Sequence, residues 1–327
     1  MYRDGVLQCD VRLGAASDAH ARMLWFSATK PVTAVCVLLL AERGLIDLDT
    51  PMAEVWPEFA HGDKEACTPR HVLTHQGGFP VFPRGFDWTR IGDWAAVMAV
   101  TAGIEADWAP GTVIGYHPVT YGFVLGEVMR RADGRMPREF MRDEVFGPLR
   151  MEASLGTDDL GSVVRVEAMS EVTFDDPEGS ERRTSEMVER FNAAATLRAQ
   201  IPAGNGLGTA EALARFYAML EQGGSLDGVR VLRDETVREA TRVHASTLRD
   251  RTSGYPAAYG LGFLVGGYPP LDMPGAFGHF GQQSTVGWCD PERGIAAAYL
   301  TNGLHEPGVV TLRYAEMALA ILGACEG

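Results

Sequence analysis

Ser27 and Lys30 stand three positions apart in the segment 26–30 (FSATK), at the start of an apolar stretch. Residues at i and i+3 lie on one face of a helix, so the serine Oγ and the lysine Nζ can meet. A serine hydroxyl becomes an effective nucleophile when a neighbouring base accepts its proton, and a lysine can be that base when burial lowers its pKa. The pair indicates nucleophilic catalysis; a serine helix cap beside a solvated lysine is the alternative.

Two further segments place polar side chains where chemistry is feasible. Tyr116 precedes a predicted helix, and a tyrosine at the mouth of a cleft can relay a proton. His279 lies between glycines on a predicted strand (Gly278-His279-Phe280-Gly281), which suggests that another group approaches the backbone closely. A packed surface tyrosine and a hydrogen-bonded core histidine are the alternatives for these two residues.

Other catalytic and metal-binding patterns are weaker. His71 and His75 have the i,i+4 spacing of a metal pair, but no glutamate stands between them as in H-E-x-x-H. The G-x-S-x-G pattern of the α/β-hydrolases does not occur in the sequence. We therefore expect neither a metal nor a cofactor, with a metal-binding protein as a remote alternative.

Hydrophobic periodicity predicts the elements that must position these residues. Predicted helices cover 27–43, 91–102, 121–132, 137–146, 210–222 and 307–324, with a short one over 69–73. Predicted strands cover 5–14, 259–266, 275–280, 285–289 and 294–301. The polar stretch 175–189 is interpreted as an exposed loop.

Strands at both ends with helices between them predict an α+β fold. One antiparallel sheet is built from both chain ends and flanked by helices, and a mostly helical lobe is inserted. The expected lobes are 1–60 plus 200–327 and 61–199, with the active site in the cleft between them. The glycine-rich segment 204–209 is interpreted as positive-φ turns lining that cleft, because no βαβ unit leads into it as a phosphate-binding loop requires.

Composition narrows the function classes. The chain has 327 residues, is 46% hydrophobic and carries a formal charge of −14, which disfavours nucleic acid and anionic membrane partners. It contains no run of the ~18–20 apolar residues that a membrane span needs. No secretory signal pattern is visible and the five cysteines are scattered, so we expect a cytoplasmic protein. Its partner would be a small-molecule ester or amide; oligomeric state is not encoded visibly.

Taken together, the segments resemble the serine β-lactamase-like superfamily, in particular class C β-lactamases and family VIII carboxylesterases. The resemblance spans about residues 20–302 and rests on segments that occur in the family's order: 26–30, 68–78 (TPRHVLTHQGG), 110–116, 201–209 (IPAGNGLGT), 278–281 and 290–302. It implies that Ser27 is the acylated nucleophile and that Lys30 and Tyr116 share its proton. It also implies an oxyanion hole made of the Ser27 and Gln282 backbone N–H groups, with substrate positioned by His279 and Gly281. The aromatic residues Phe280 and Trp288 stand near these motifs and are expected to line the substrate pocket, with core packing as the alternative.

The sequence departs from the family at two points. Tyr116-His117-Pro118 replaces the usual Tyr-x-Asn, and His279 stands where lactamases often carry lysine. Both departures argue against efficient β-lactamase or peptidase activity. We expect a carboxylesterase-type serine hydrolase or an acyltransferase; a transacylase of secondary metabolism, a β-lactamase or D-alanyl peptidase, and a non-catalytic binding protein are the alternatives. Relatives usually carry an additional N-terminal helix, so either the natural start lies upstream or this member is trimmed.

Overall fold

The computed structural model describes residues 1–18, 20–169, 177–266, 273–282, 284–305 and 307–326. Its helices are α1 Lys30–Glu42, α2 Pro69–Leu73, α3 Trp94–Ala102, α4 Thr120–Asp133, α5 Pro137–Met141, α6 Pro177–Asn192, α7 Ala194–Arg198, α8 Ala210–Glu221, α9 Asp234–Thr241 and α10 Pro307–Glu326. Its strands are β1 Tyr2–Arg3, β2 Val6–Leu7, β3 Met23–Leu24, β4 Ala153–Leu155, β5 Glu167–Ala168, β6 Gly206–Gly208, β7 Ser225–Leu226, β8 Val229–Arg230, β9 Ala245–Thr247, β10 Ala257–Tyr259, β11 Leu264–Val265, β12 Phe277–Gly281, β13 Thr285–Asp290, β14 Ile295–Leu300 and β15 Gly303–Leu304.

The largest sheet has eight strands in the order β2-β1-β14-β13-β12-β11-β10-β9. Every neighbouring pair in it is antiparallel. Its N-terminal strand β1 pairs with β14 near the C-terminus, with Tyr2 opposite Ala296. The predicted α+β fold, with an antiparallel sheet formed from both chain ends, is therefore confirmed.

Helices cover both faces of this sheet. Successive strand residues point to opposite faces, so neighbouring residues of one strand contact different helices. Trp288 of β13 packs with Tyr314 of α10 on one face. The next residue, Cys289, faces the core that contains Leu213 and Tyr217 of α8. The central strands thus carry near-continuous apolar sequence, as expected for strands buried on both faces.

Helix α1 is the buried centre of the helical part. Every residue from Lys30 to Leu40 is buried, and the helix packs mainly against α4. The predicted helix begins instead as a short 3-10 turn over Phe26–Thr29, and regular α-helix starts at Lys30. Pro31 fits this first turn because its missing N–H would have no intrahelical partner there.

Two sequence predictions for strands are wrong in extent. The predicted strand over 5–14 shrinks to Val6–Leu7, which pairs with β1 at the sheet edge. The predicted strand over 259–266 is divided between β10 and β11. Gly262 has a φ of 91° in the connection, a left-handed conformation that ends regular strand geometry. The three predicted strands that follow correspond to β12, β13 and β14.

The predicted loop over 175–189 is also wrong where the structure describes it, because α6 covers Pro177–Asn192; residues 175 and 176 lie outside the described residues. Helix α6 is polar along most of its length, which concealed it from a search for apolar periodicity. Its C-terminal part nevertheless carries Met187, Val188 and Phe191, which pack against the cluster that contains Phe26. Tertiary packing of this short apolar face stabilises the helix.

Among the described residues, no helix combines the length and apolar character needed to cross a bilayer. The lobe boundaries at residues 60 and 200 stay a prediction. A three-stranded sheet, β3-β6-β4, joins segments from both predicted lobes directly before Ser27.

Candidate active site

Ser27 is presented by a turn with unusual backbone geometry. Phe26 has a φ of 47°, which bulky residues rarely adopt, and its buried ring packs edge-on against Phe191 at 4.7 Å between centroids. Gly281 of β12 lies close to this turn: an added Cβ would stand 2.2 Å from the Trp25 carbonyl oxygen. The strand edge therefore approaches Ser27 only because position 281 is glycine, while Ser27 itself stays partly exposed.

Lys30 is completely buried beside the serine. Its Nζ lies 3.1 Å from Ser27 Oγ, 2.7 Å from the Pro118 carbonyl oxygen and 3.1 Å from the Ala203 carbonyl oxygen. Burial holds the pKa of Lys30 well below its ordinary value. A neutral amine suits these three partners: two N–H groups donate to the carbonyls, and the lone pair accepts the Ser27 O–H.

Tyr116 completes a cluster of three polar side chains. Its hydroxyl is hydrogen-bonded to Ser27, and Lys30 Nζ lies 4.8 Å from its ring centroid. Burial raises the pKa of Tyr116, the charge of Asp250 raises it further, and the bond to Ser27 opposes the rise. The phenol is therefore protonated at neutral pH and can donate its proton while it receives another.

His279 faces this cluster from β12. Its ring centroid lies 6.0 Å from that of Tyr116, and its Nδ1–H donates to the Phe280 carbonyl oxygen at 2.7 Å. Burial lowers the pKa of His279 to about 3. The buried Nε2 has no hydrogen-bond partner among the described residues. His279 is therefore a neutral imidazole whose free nitrogen carries a lone pair.

The structure separates the other predicted positioning residues. Beyond Gly278, β12 has no partner on the β11 side within the described residues, so the edge from His279 to Gly281 is open there. Gln282 directly follows and is exposed. Phe280 points away from the His279 face and is 42% exposed.

Trp288 is the residue for which the structure contradicts the sequence prediction. It stands opposite Gly278, one position out of phase with His279, so its side chain lies on the other face of the sheet. There it is buried against Tyr314 of α10, together with Met273. The proximity of Trp288 to the 278–281 segment predicts a place in the site. Strand alternation shows that its side chain lies outside the site.

The glycine-rich segment 204–209 directly follows Ala203, whose carbonyl accepts from Lys30. Its glycines do not have the predicted positive φ angles. Gly204, Gly206 and Gly208 are absent from the residues with positive φ. Gly206 and Gly208 belong to β6, and a Cβ on Gly208 would stand 2.5 Å from the Trp25 ring. Glycine is required at 206 and 208 for close packing against Thr29 and Trp25, and the Ala203 carbonyl that precedes them accepts from Lys30.

His71 and His75 have structural roles. The Nδ1 of His71 accepts the Thr68 N–H and closes the N-terminal cap of α2. His75 is buried, and its Nδ1 accepts the His117 N–H at 3.1 Å. Over the described part of the chain, no group of three or more metal-ligating side chains is positioned to bind an ion.

Sequence reasoning missed Asp250, a buried carboxylate directly behind Tyr116. The sequence Asp250-Arg-Thr-Ser-Gly254 is typical of an Asx turn, and the Thr252 and Ser253 N–H groups do donate to Asp250. That local signal could have identified the turn. It could not have identified the contact with Tyr116, which lies 134 positions away.

With this geometry described, comparison with known proteins identifies the class. A family model described as Beta-lactamase matches residues 2–321, so the chain belongs to the Beta-lactamase family of serine hydrolases, which includes esterases and penicillin-binding-protein-like members. The esterase/beta-lactamase LipL of Mycobacterium tuberculosis is 33% identical over 95% of this chain and 78% of its own length.

Two solved structures extend the comparison. A penicillin-binding protein homologue from Caulobacter crescentus is 31% identical with a TM-score of 0.75, over 93% of this chain and 85% of that one. A family VIII carboxylesterase is 26% identical with a TM-score of 0.78, over 91% of this chain and 84% of that one. The predicted resemblance to β-lactamase-like serine hydrolases is confirmed.

Proposed function

We propose that this protein hydrolyses small, neutral carboxylic esters through an acyl-enzyme formed on Ser27. The observation that carries the proposal is the contact between Ser27 Oγ and the buried Lys30 Nζ at 3.1 Å. An amine with a lowered pKa and no carboxylate partner among the described residues is suited to accept a serine proton at neutral pH.

In the acylation step, Lys30 accepts the hydroxyl proton while Ser27 Oγ attacks the ester carbonyl carbon. The new Oγ–C bond forms, and the C–O bond to the leaving alcohol breaks. Tyr116 gives its phenol proton to the departing oxygen and regains one from Lys30, which returns to the neutral amine. The raised pKa of Tyr116 supports this role, because a neutral phenol is required at the start.

Two backbone amides would stabilise the negative charge on the carbonyl oxygen. The Ser27 N–H lies in the first turn of a helical segment, where N–H groups have no intrahelical partner. The Gln282 N–H follows the open edge of β12, which Gly281 allows to approach the Ser27 turn. Backbone donors held in this way are the usual device for stabilising a tetrahedral oxyanion.

Deacylation uses the same groups with water as the nucleophile. Lys30 accepts a water proton, directly or through Tyr116, which then passes its own proton to Lys30. The water oxygen attacks the acyl carbon, and the Oγ–C bond breaks. Ser27 regains a proton and the carboxylic acid leaves. His279 would border the substrate near the β12 edge.

Neutral esters are favoured over carboxylate-bearing lactams or peptides by the charge of the site. With a pKa of about 3, His279 is uncharged at neutral pH and offers no cation to a substrate carboxylate. Pro118 supplies only its carbonyl, which Lys30 already engages. The names of LipL and of the family VIII carboxylesterase agree with an esterase assignment for this chain.

The test measures hydrolysis of p-nitrophenyl acetate and butyrate, and of a chromogenic cephalosporin, by wild type, Ser27→Ala and Ser17→Ala. Ser17 is an exposed serine and provides the matched control. We expect ester turnover by wild type and Ser17→Ala, its loss in Ser27→Ala, and much weaker cephalosporin turnover. Intact mass spectrometry should show an acyl adduct on wild type and none on Ser27→Ala. Equal ester turnover by wild type and Ser27→Ala contradicts the proposal.

A further inference from the structure

Asp250 is a buried carboxylate whose neighbours are all hydrogen-bond donors. It is 1% exposed. Its Oδ1 accepts the backbone N–H groups of Tyr116 at 3.0 Å, Thr252 at 2.9 Å and Ser253 at 2.8 Å. Its Oδ2 accepts the same Tyr116 N–H at 2.9 Å and the Tyr259 hydroxyl at 3.2 Å. Within the described part of the chain, no arginine or lysine forms an ion pair with it.

These bonds are directed at the residue whose position matters for the proposed chemistry. The amides on either side of Tyr116 bind His75: the Gly115 N–H donates to the His75 carbonyl, and the His117 N–H donates to His75 Nδ1. The Tyr116 N–H points the other way, to Asp250. The backbone of Tyr116 is therefore held from two sides, while its hydroxyl reaches Ser27 on the third.

We infer that Asp250 is a positioning residue for Tyr116, fixing its backbone so that the phenol stays within hydrogen-bond distance of Ser27. The inference rests on the proposed function of Ser27 and Tyr116. Asp250 does not touch the reacting atoms and acts only through the tyrosine.

The site requires an acceptor at both side-chain oxygens of Asp250. A carboxylate accepts at both oxygens, and every contacting group here is a donor. An asparagine of the same shape can keep its oxygen toward Thr252 and Ser253. Its NH₂ group then replaces Oδ2, so the Tyr116 N–H keeps one of its two acceptors and faces a donor nitrogen in place of the other. Asp250→Asn therefore keeps the turn and weakens the link to Tyr116.

The experiment is a double-mutant cycle of Asp250→Asn and Tyr116→Phe, measured as the rate of Ser27 acylation by p-nitrophenyl acetate. Intact mass follows the adduct over hours, so slow variants stay measurable. We expect Asp250→Asn to lower the acylation rate about 10- to 100-fold, since misplacing a reacting group by about 1 Å costs up to this much. In the Tyr116→Phe background the same substitution should have little further effect, because the phenol it positions is already gone.

Glu127→Gln is the matched control. Glu127 is an equally buried carboxylate that binds Trp94, Arg130 and Arg131 instead of the site. It should lower thermal stability without changing the acylation rate. If Asp250→Asn does not fold, the cycle is run with Tyr259→Phe, which removes only a hydroxyl donor from Asp250, and the coupling to Tyr116→Phe should persist at smaller size.

Different results would overturn the positioning role of Asp250 and the proposed function of Ser27. Equal fold losses from Asp250→Asn with and without the Tyr116 hydroxyl would overturn the positioning role, although Ser27-dependent acylation by wild type would still stand. If wild type forms no Ser27 adduct at all, the proposed function and the role of Asp250 are both overturned.

Discussion

Lys30 and Lys64 are both completely buried, yet they belong to different kinds of site. Lys64 donates to three backbone carbonyl oxygens, those of His61, Ala102 and Ile104, and so ties a loop to the C-terminal end of α3. Lys30 donates to two carbonyls and has a serine hydroxyl as its third partner. Burial alone therefore does not make a lysine a base.

The third partner determines whether a neutral amine can satisfy all three contacts, because a hydroxyl can donate to its lone pair and a carbonyl cannot. Three carbonyls need three N–H donors, which only the ammonium form provides. Two carbonyls and a hydroxyl are satisfied by the neutral amine. The pKa directions agree: burial lowers the pKa of Lys30 far, whereas for Lys64 the lowering by burial is opposed by the nearby negative charges of Glu105 and Asp63. We therefore assign Lys64 to structure and propose Lys30 for catalysis.

The largest expected effect is on activity, and it should affect only one of the two lysines. Lys30→Met removes the proposed base and should lower kcat/KM for p-nitrophenyl butyrate by about 10²- to 10⁴-fold. Lys64→Met keeps the stem length and should leave kcat/KM unchanged. Both variants are assayed at the temperature where circular dichroism shows them folded. A comparable loss in Lys64→Met would end the distinction.

The stability of the same two variants should show the reverse order. Lys64→Met leaves several buried carbonyls without donors and should lower the free energy of unfolding by about 2–4 kcal/mol. Lys30→Met should cost less, because it leaves two carbonyls rather than three without their donor. Urea unfolding followed by tryptophan fluorescence measures both. If Lys30→Met is the more destabilising variant, the assignment of roles from hydrogen-bond partners is wrong.

The dependence of stability on pH sharpens the comparison further. The folded-state pKa of Lys30 lies below its unfolded value, so between these values the unfolded chain binds the extra proton. The free energy of unfolding then rises with pH, by at most about 1.4 kcal/mol per pH unit for one proton. The difference in the free energy of unfolding between wild type and Lys30→Met should therefore grow as the pH rises toward the unfolded-state pKa of lysine, about 10.4.

Lys64 provides the internal control for that titration. The pKa of Lys64 is lowered less. The difference in the free energy of unfolding between wild type and Lys64→Met should therefore change less over the same pH range. Equal slopes for the two lysines would mean that both titrate alike, and the neutral state assigned to Lys30 would be contradicted.

The sequence predicts one of these lysines and is silent about the other, for a physical reason. Ser27 and Lys30 are neighbours on one helical turn, so their spacing alone indicates that the side chains can meet. The acceptors of Lys64 include Ala102 and Ile104, which lie 38 and 40 positions away, and no local pattern marks that contact. Asp250 is missed likewise, since its link to Tyr116 forms only after the chain folds.

The fold shows the same division between local and non-local information. Long apolar elements such as α4 and β13 are predicted with nearly the observed bounds, because their periodicity reflects the core that they face. The position of Trp288 shortly after the 278–281 segment predicts that it lies in the site, but the register of β12 against β13 determines which face of the sheet it occupies. The polar helix α6 is stabilised by the packing of Phe191 against Phe26, and the composition of the helix does not predict this contact.

The smallest expected effect concerns the hydroxyl that distinguishes the two lysines. Ser27→Ala removes one partner of Lys30 and leaves the two carbonyls in place, so the free energy of unfolding should stay within about 1 kcal/mol of wild type while ester turnover is lost. Thr29→Val is the matched comparison on the same turn, because Thr29 Oγ1 accepts the buried Gly206 N–H at 2.9 Å. Its loss strands that amide and should cost about 1–3 kcal/mol. If Ser27→Ala is as costly as Thr29→Val, the serine hydroxyl stabilises the fold as a cap does, and its distinction from the carbonyl partners of Lys64 disappears.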